Sequence, residues 1–113
     1  MKVFYGGIFI DKEALQKAGI EHPIKLEYYK MINEDEIVKH NKEIYGIYVI
    51  KTEYRKNDIF TEEKEMKHLS NDELEINRIL NLFKEFAVTP IAAEDVAEDL
   101  LKQSKFFIWI DSI

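Results

Sequence analysis

The chain has 113 residues, 46% of them hydrophobic and 34% charged, which is typical of one folded domain spanning residues 1–113. It contains no cysteine, which excludes disulfide bonds, thiolate catalysis and cysteine zinc sites and favours a reducing, cytoplasmic location. The net charge of −6 weakens attraction to nucleic-acid phosphates and anionic membranes, and no apolar run approaches the roughly 20 residues that span a bilayer. We therefore predict a cytoplasmic protein that does not associate with membranes.

The first third of the chain is predicted to form two strands with a short helix between them. Residues 3–10 are apolar and aromatic enough for a strand, in which two consecutive glycines mark a bulge or a close backbone approach. Asp11 can then cap a short helix near 11–18. Residues 24–32 alternate between apolar and polar side chains, which indicates a half-buried strand.

The middle of the chain is predicted to form a hairpin. Residues 44–50 are apolar on both parities, which indicates a central strand covered at least partly on both faces. A turn at 55–58 leads into a strand at 59–69, whose glutamates and lysines suit an exposed edge. A helix at 61–69 is the alternative, because Glu and Lys are good helix formers.

Two helices are predicted next, at about 70–86 and 90–103. Ser70 and Glu73 have the spacing of a capping box, so the first helix is expected to begin at Ser70. Proline disfavours helical geometry in the residue before it but suits a first helical position, so the second helix should begin at Pro90. Apolar residues at three- and four-residue spacing give each helix one core face. In the first helix this face consists of Ile76, Ile79, Leu80 and Phe83, widened by Leu82 and Phe86, and in the second of Ala92, Ala93, Val96, Ala97, Leu100 and Leu101.

The last segment, 105–113, is short, aromatic and prone to form β-structure. We predict a final strand or a tail docked on the core. The alternative is an apolar contact for another chain, which would allow a homo-oligomer through this segment. Together the elements predict an α+β fold, in which an antiparallel sheet of three to five strands packs against the C-terminal helix pair.

Three stretches carry a resemblance: Tyr45-Gly46-Ile47, the charged strand 61–69, and the segment 88–101, which reads VTPIAAEDVAEDLL. They resemble a family of short bacterial proteins with a domain of unknown function, which pairs a Tyr-Gly-Ile strand with a Val-x-Pro turn and an Asp-Val-x-Glu-Asp helix. Members often have histidine and leucine after the Thr-Pro-Ile. This chain has Ala92-Ala93 there, so no role for that histidine carries over. The resemblance covers about 44–103 and implies no activity.

No complete catalytic or metal-binding motif is present. His22, His40 and His68 lack the helical pairing of a metal site and have no cysteine partners. There is no nucleophile elbow and no phosphate-binding loop. We therefore predict a protein that is not an enzyme and needs neither cofactor nor metal.

Our first hypothesis is a small protein-interaction or regulatory protein that presents an acidic surface to a protein partner. Such a surface could also occupy the basic groove of a nucleic-acid-binding protein and inhibit it. The residues predicted to contact the partner are Glu94, Asp95, Glu98 and Asp99, which share one helix face, and Phe107 and Trp109 in the last segment.

The alternative hypothesis is a binder of nucleotides or single-stranded nucleic acid. Aromatic and basic side chains alternate near the predicted hairpin, and aromatic rings with adjacent cations can stack on bases. The residues of this surface, which we call the tyrosine/basic hairpin, are Tyr45, Tyr48, Lys51, Tyr54, Arg55 and Lys56. The acidic net charge disfavours nucleic acid as a direct ligand.

Overall fold

In the part of the chain that the structure describes, four strands are followed by two helices. A computed structural model describes residues 1–11, 22–33 and 43–111, with side chains up to Gln103. The elements are β1 (Lys2–Ile10), β2 (Ile24–Ile32), β3 (Tyr45–Arg55), β4 (Asp58–Ser70), α1 (Glu73–Glu85) and α2 (Pro90–Asp111). The predicted α+β class is confirmed, whereas the helix predicted near 11–18 lies outside the described residues.

The four strands form one antiparallel sheet in the order β1-β2-β3-β4. The predicted turn is confirmed, because Arg55 pairs with Asp58 across it. The strand prediction for 59–69 is also correct, and the helical alternative is wrong. A bulge or a close backbone approach was predicted at Gly6-Gly7, and the register of β1 does shift directly before these glycines, between Phe4 and Gly6.

The hydrophobic core lies between one face of the sheet and the two helices. Alternate residues of the strands point to this face, because side chains alternate along a strand. The fully or nearly fully buried members are Ile24, Leu26, Tyr28, Tyr45, Ile47, Val49 and Met66 from the sheet, Ile76, Ile79, Leu80, Phe83, Ala93 and Ala97 from the helices, and Val88 between the helices. Most of the predicted apolar stripe of each helix therefore contacts the core. Phe86, which was predicted to widen the stripe of α1, is instead 70% exposed, because it is the C-cap residue beyond the last turn of α1.

The start of α1 differs from the prediction. Its N-cap is Asp72, whose carboxylate accepts a hydrogen bond from the Leu74 N–H at 3.0 Å. Ser70 is instead the last residue of β4, where it pairs with Tyr45 and is therefore extended. The Glu73 carboxylate bonds to the Lys30 ammonium at 2.8 Å, so the predicted capping box does not form.

The C-terminal segment also differs from the prediction. It is not a strand, because α2 continues through it to Asp111. No glycine or proline follows Pro90, and extending an existing helix costs much less than nucleating a new element. The side chains of Phe107 and Trp109 lie outside the described part of the chain, so their docking on the core or on a partner stays a prediction.

Tyr28 ties the sheet to the junction between the helices. It is fully buried, and its hydroxyl donates to the Val88 carbonyl at 2.8 Å. Burial raises the pKa of Tyr28 to about 12. We expect Tyr28→Phe to lower the free energy of unfolding at pH 7 by about 1–3 kcal/mol, because the Val88 carbonyl loses its donor.

The difference between Tyr28→Phe and the wild type should shrink as the pH rises from about 10 to 12. In that range the phenol of Tyr28 releases its proton in the unfolded wild type and keeps it in the folded protein, which lowers the free energy of unfolding of the wild type. The variant has no phenol at this position, so its free energy of unfolding does not change for this reason. Urea unfolding of both proteins across this range measures the effect. A difference that stays constant with pH would contradict it.

Candidate functional site

The face of the sheet opposite the helices is the main candidate site. Tyr28 and Ile47 point toward the helices, so their neighbours Tyr29 and Tyr48 point the other way. We call this side, defined by Phe4, Phe9, Tyr29, Tyr48 and Tyr54, the open face. Both helices pack against the other side of the sheet.

Three aromatic rings form a row across the open face. Phe4, Tyr29 and Tyr48 stand on β1, β2 and β3 in direct cross-strand register. The ring centroids of Phe4 and Tyr29 are 5.4 Å apart and edge-on, and those of Tyr29 and Tyr48 are 5.6 Å apart. Such pairs contribute about 0.5–1.5 kcal/mol each beyond their buried area, so the aromatic row is preorganised.

A second apolar group lies near the β3–β4 turn. The rings of Phe9 and Tyr54 are 6.3 Å apart, and Ile59 pairs with Tyr54 across the hairpin. Phe9 is 62% exposed, Ile59 61%, and Phe4, at the other end of the open face, 57%. Large apolar side chains grouped on one exposed face are a common mark of a protein interface.

The charges on the open face bind one another. The Lys2 ammonium bonds to the Glu65 carboxylate at 2.8 Å and lies 4.3 Å from the centre of the Tyr48 ring. The Tyr48 hydroxyl donates to Glu63, and this hydrogen bond raises the pKa of Tyr48 to about 12. The hydrogen bond from Lys2 lowers the pKa of Glu65. The phenol of Tyr48 is therefore neutral and the carboxylate of Glu65 ionised at pH 7.

The predicted tyrosine/basic hairpin is divided between the two faces of the sheet. Tyr48 and Tyr54 stand on the open face, whereas Tyr45 is buried beside the helices and its hydroxyl donates to Glu43. That hydrogen bond raises the pKa of Tyr45. The structure therefore does not bring the six residues together as one surface.

The basic members of the hairpin also lie apart from the aromatic row. By the alternation along β3, Lys51 and Arg55 are on the helix side of the sheet. The Arg55 guanidinium lies 3.6 Å from the centre of the Phe60 ring, and Lys56 is in the turn. None of these three cations is placed beside Tyr48.

Sequence reasoning missed Phe4, Phe9 and Tyr29 as site residues. Each belongs to a strand that was predicted correctly. For Tyr29 the signal available was an aromatic residue on the polar parity of β2, whereas β1 has no polar parity that would have marked Phe4 and Phe9. Only the cross-strand register shows that these rings meet Tyr48 and Tyr54.

The predicted acidic surface is a second candidate site. Glu94, Asp95, Glu98 and Asp99 are all exposed on α2. The Glu94 carboxylate pairs with the Lys64 ammonium at 3.0 Å, which connects α2 to β4. An open cleft of about 520 Å³ lies there, lined by Glu62, Glu63, Lys64, Pro90, Ile91 and Glu94.

The structure offers no metal site within the described residues. In this part of the chain, no three His, Asp or Glu side chains lie close enough together to hold a metal ion. His22 precedes β2 and His68 lies in β4, while His40 is outside the described ranges. Over the same ranges, no helix is both long and apolar enough to cross a membrane.

Comparison with known proteins gives a family and no activity. The model of a family of unknown function, DUF6514, matches residues 8–103. No curated protein and no solved structure matches the chain. The predicted resemblance to an uncharacterised domain family is therefore confirmed.

Proposed function

The chain belongs to this family of unknown function, and we propose that it is a cytoplasmic, non-enzymatic protein-interaction module whose open face docks on an apolar surface of a protein partner. The observation that carries the proposal is the exposure of Phe4 and Phe9 beside the preformed aromatic row. Aromatic side chains are enriched in the cores of protein interfaces, where they fill pockets and contribute much of the binding energy.

The charge arrangement favours a protein over a polyanion. A phosphate group placed on the aromatic row would lie near the carboxylates of Glu63 and Glu65. Like charges about 4 Å apart near a protein surface repel by about 4 kcal/mol. Lys2, whose ammonium lies 4.3 Å from the centre of the Tyr48 ring, is already bound by Glu65. An apolar partner meets no such repulsion.

The test is a quantitative affinity purification from the source cell with three baits. They are the wild type, a double variant carrying Phe4→Ser and Phe9→Ser, and the matched control Phe86→Ser. Phe86 is 70% exposed but stands at the end of α1, away from the open face. We expect a partner that the wild type and Phe86→Ser retain equally and that the double variant loses by tenfold or more, which corresponds to about 1.4 kcal/mol.

The salt dependence of binding separates this proposal from the alternatives that depend on charge. Apolar docking should persist when the ionic strength is raised, because screening acts on exposed charges. The same proteins captured by all three baits would contradict docking through the open face.

A second candidate function is supported by the acidic surface on α2. Its four exposed carboxylates beside an open cleft are suited to a basic segment of a nucleic-acid-binding protein, which the chain would then inhibit. This version predicts binding that falls steeply with salt and is competed by nucleic acid. Glu98→Lys should abolish it, whereas Glu85→Lys, an equal charge reversal on the exposed side of α1, should not.

The nucleotide or single-strand alternative has one supporting observation, which is the aromatic row with Lys2 beside it. Base stacking on aromatic side chains contributes about 1–3 kcal/mol per base. Fluorescence anisotropy with labelled single-stranded DNA and RNA tests it directly. Saturable binding that Phe4→Ser removes and Phe86→Ser retains would favour this alternative over the protein partner.

A further inference from the structure

The outer edge of β1 presents backbone groups that β2 does not use. Met1 and Ile32 exchange two backbone hydrogen bonds, at 2.9 and 2.8 Å. Every second residue of β2, counted back from Ile32, therefore bonds to β1. In an antiparallel pair these positions alternate, so Leu26 and its partner Ile8 bond to each other. The N–H and C=O groups of Gly7 and Phe9 therefore point away from β2.

The two edges of the sheet are chemically different. β4 carries a run of charged side chains over 62–65, and α2 packs beside it. Such charges discourage a further strand from pairing there. β1 has no charged side chain from Val3 to Ile10, and within the described ranges it pairs only with β2. An uncharged edge strand with exposed apolar side chains is a template for another strand.

We propose that this edge pairs with β1 of a second copy of the chain, antiparallel and with the two-fold axis at Ile8. Gly7 then stands opposite Phe9 of the second copy, and each of these two pairs exchanges two backbone hydrogen bonds. The Phe9 ring covers the glycine of the other copy on the open face, an arrangement known to stabilise glycine in strands. The edge is thus complementary to itself, as a two-fold interface requires.

The dimer joins two four-stranded sheets into one and doubles the open face. The regular part of the edge, after the bulge, is only about five residues or roughly 17 Å long. The buried area is therefore below the roughly 1,200 Å² of stable complexes, and we expect dissociation in the micromolar range. This inference does not depend on the proposed function, because it concerns the edge of the sheet rather than its face.

Sedimentation velocity over a range of micromolar concentrations tests the dimer, with Phe9→Pro and Phe9→Ala as the matched pair of variants. Proline removes the outward N–H of residue 9 and leaves the bonds to β2, and edge strands tolerate it. Alanine keeps that N–H and removes only the ring. We expect Phe9→Pro to be monomeric and Phe9→Ala to weaken the dimer by about fivefold or less.

Several outcomes would overturn this interface. A wild type that remains monomeric at all concentrations would overturn it. Equal weakening of the dimer by Phe9→Ala and Phe9→Pro would also overturn it, because the contact would then depend on the ring alone. Loss of the dimer in Trp109→Ala would assign it to the C-terminal segment. If Phe9→Pro does not fold, amide exchange in the wild type tests the dimer without any variant. In the wild type, amide exchange at Gly7 and Phe9 should slow as concentration rises, while exchange at Gly46 stays constant.

Discussion

Gly46→Ala is expected to lower the free energy of unfolding by more than about 3 kcal/mol, a loss in the range of the most disruptive single substitutions. A Cβ atom at position 46 would lie 2.1 Å from the Met66 carbonyl oxygen and 2.8 Å from backbone atoms of Lys67. Those atoms belong to β4 and cannot turn aside as a flexible side chain can. The two strands would have to separate at the place where their register already shifts.

The control for this substitution is Gly6→Ala. The three atoms nearest to a Cβ atom there all belong to the side chain of Lys84, at 3.1 to 3.3 Å, and this long side chain can move. We expect a change within about 1 kcal/mol, in either direction, because alanine also restricts the unfolded chain. Urea unfolding of both variants measures the contrast. Equal stabilities for Gly46→Ala and Gly6→Ala would show that β4 moves away without cost.

The role of Gly46 also explains part of the family resemblance. The Tyr-Gly-Ile pattern places Gly46 between two buried residues, Tyr45 and Ile47, at the register shift of β3. The glycine is required by the close approach of β4 and the neighbours by the core. This pattern therefore reports how the domain folds and carries no information about a ligand.

Much of the fold could be predicted because it depends on local chemistry. Alternating polarity predicts β2, the charged turn predicts the β3–β4 hairpin, and Pro90 marks the start of α2. The errors arose where tertiary pairing overrides local preference. Ser70 is a good N-cap residue, but its pairing with Tyr45 in the sheet holds it extended and leaves the cap to Asp72.

The candidate site could not be predicted in the same way. The open face depends on which residue of one strand stands beside which residue of the next, and this register is set by bulges and turns distant in sequence. Tyr45 and Tyr48 are three residues apart and so lie on opposite faces of the sheet, which separates residues that composition alone would group. Phe4 and Tyr48 are far apart in sequence, and both contact Tyr29.

The second large effect is expected from Phe83→Ala. Phe83 is fully buried between α1 and the sheet, and its ring meets that of Tyr28 edge-on with centroids 6.2 Å apart. Replacing a buried phenylalanine with alanine loses transfer energy and leaves a cavity, at a cost of about 3–5 kcal/mol. The stability of a typical domain is only about 5–15 kcal/mol, so the variant should be close to unfolding at room temperature.

Phe86→Ala is the matched control for Phe83→Ala, because it makes the same change three residues further along at a side chain that is 70% exposed. Surface substitutions of this kind change stability by about 0.5 kcal/mol or less. Thermal unfolding followed by circular dichroism compares the two. The comparison also supports the partner experiments, since unfolding of Phe83→Ala is by itself sufficient to abolish partner binding. A partner that the double variant carrying Phe4→Ser and Phe9→Ser loses at unchanged stability must instead contact the open face. Equal melting temperatures for Phe83→Ala and Phe86→Ala would contradict the assigned core.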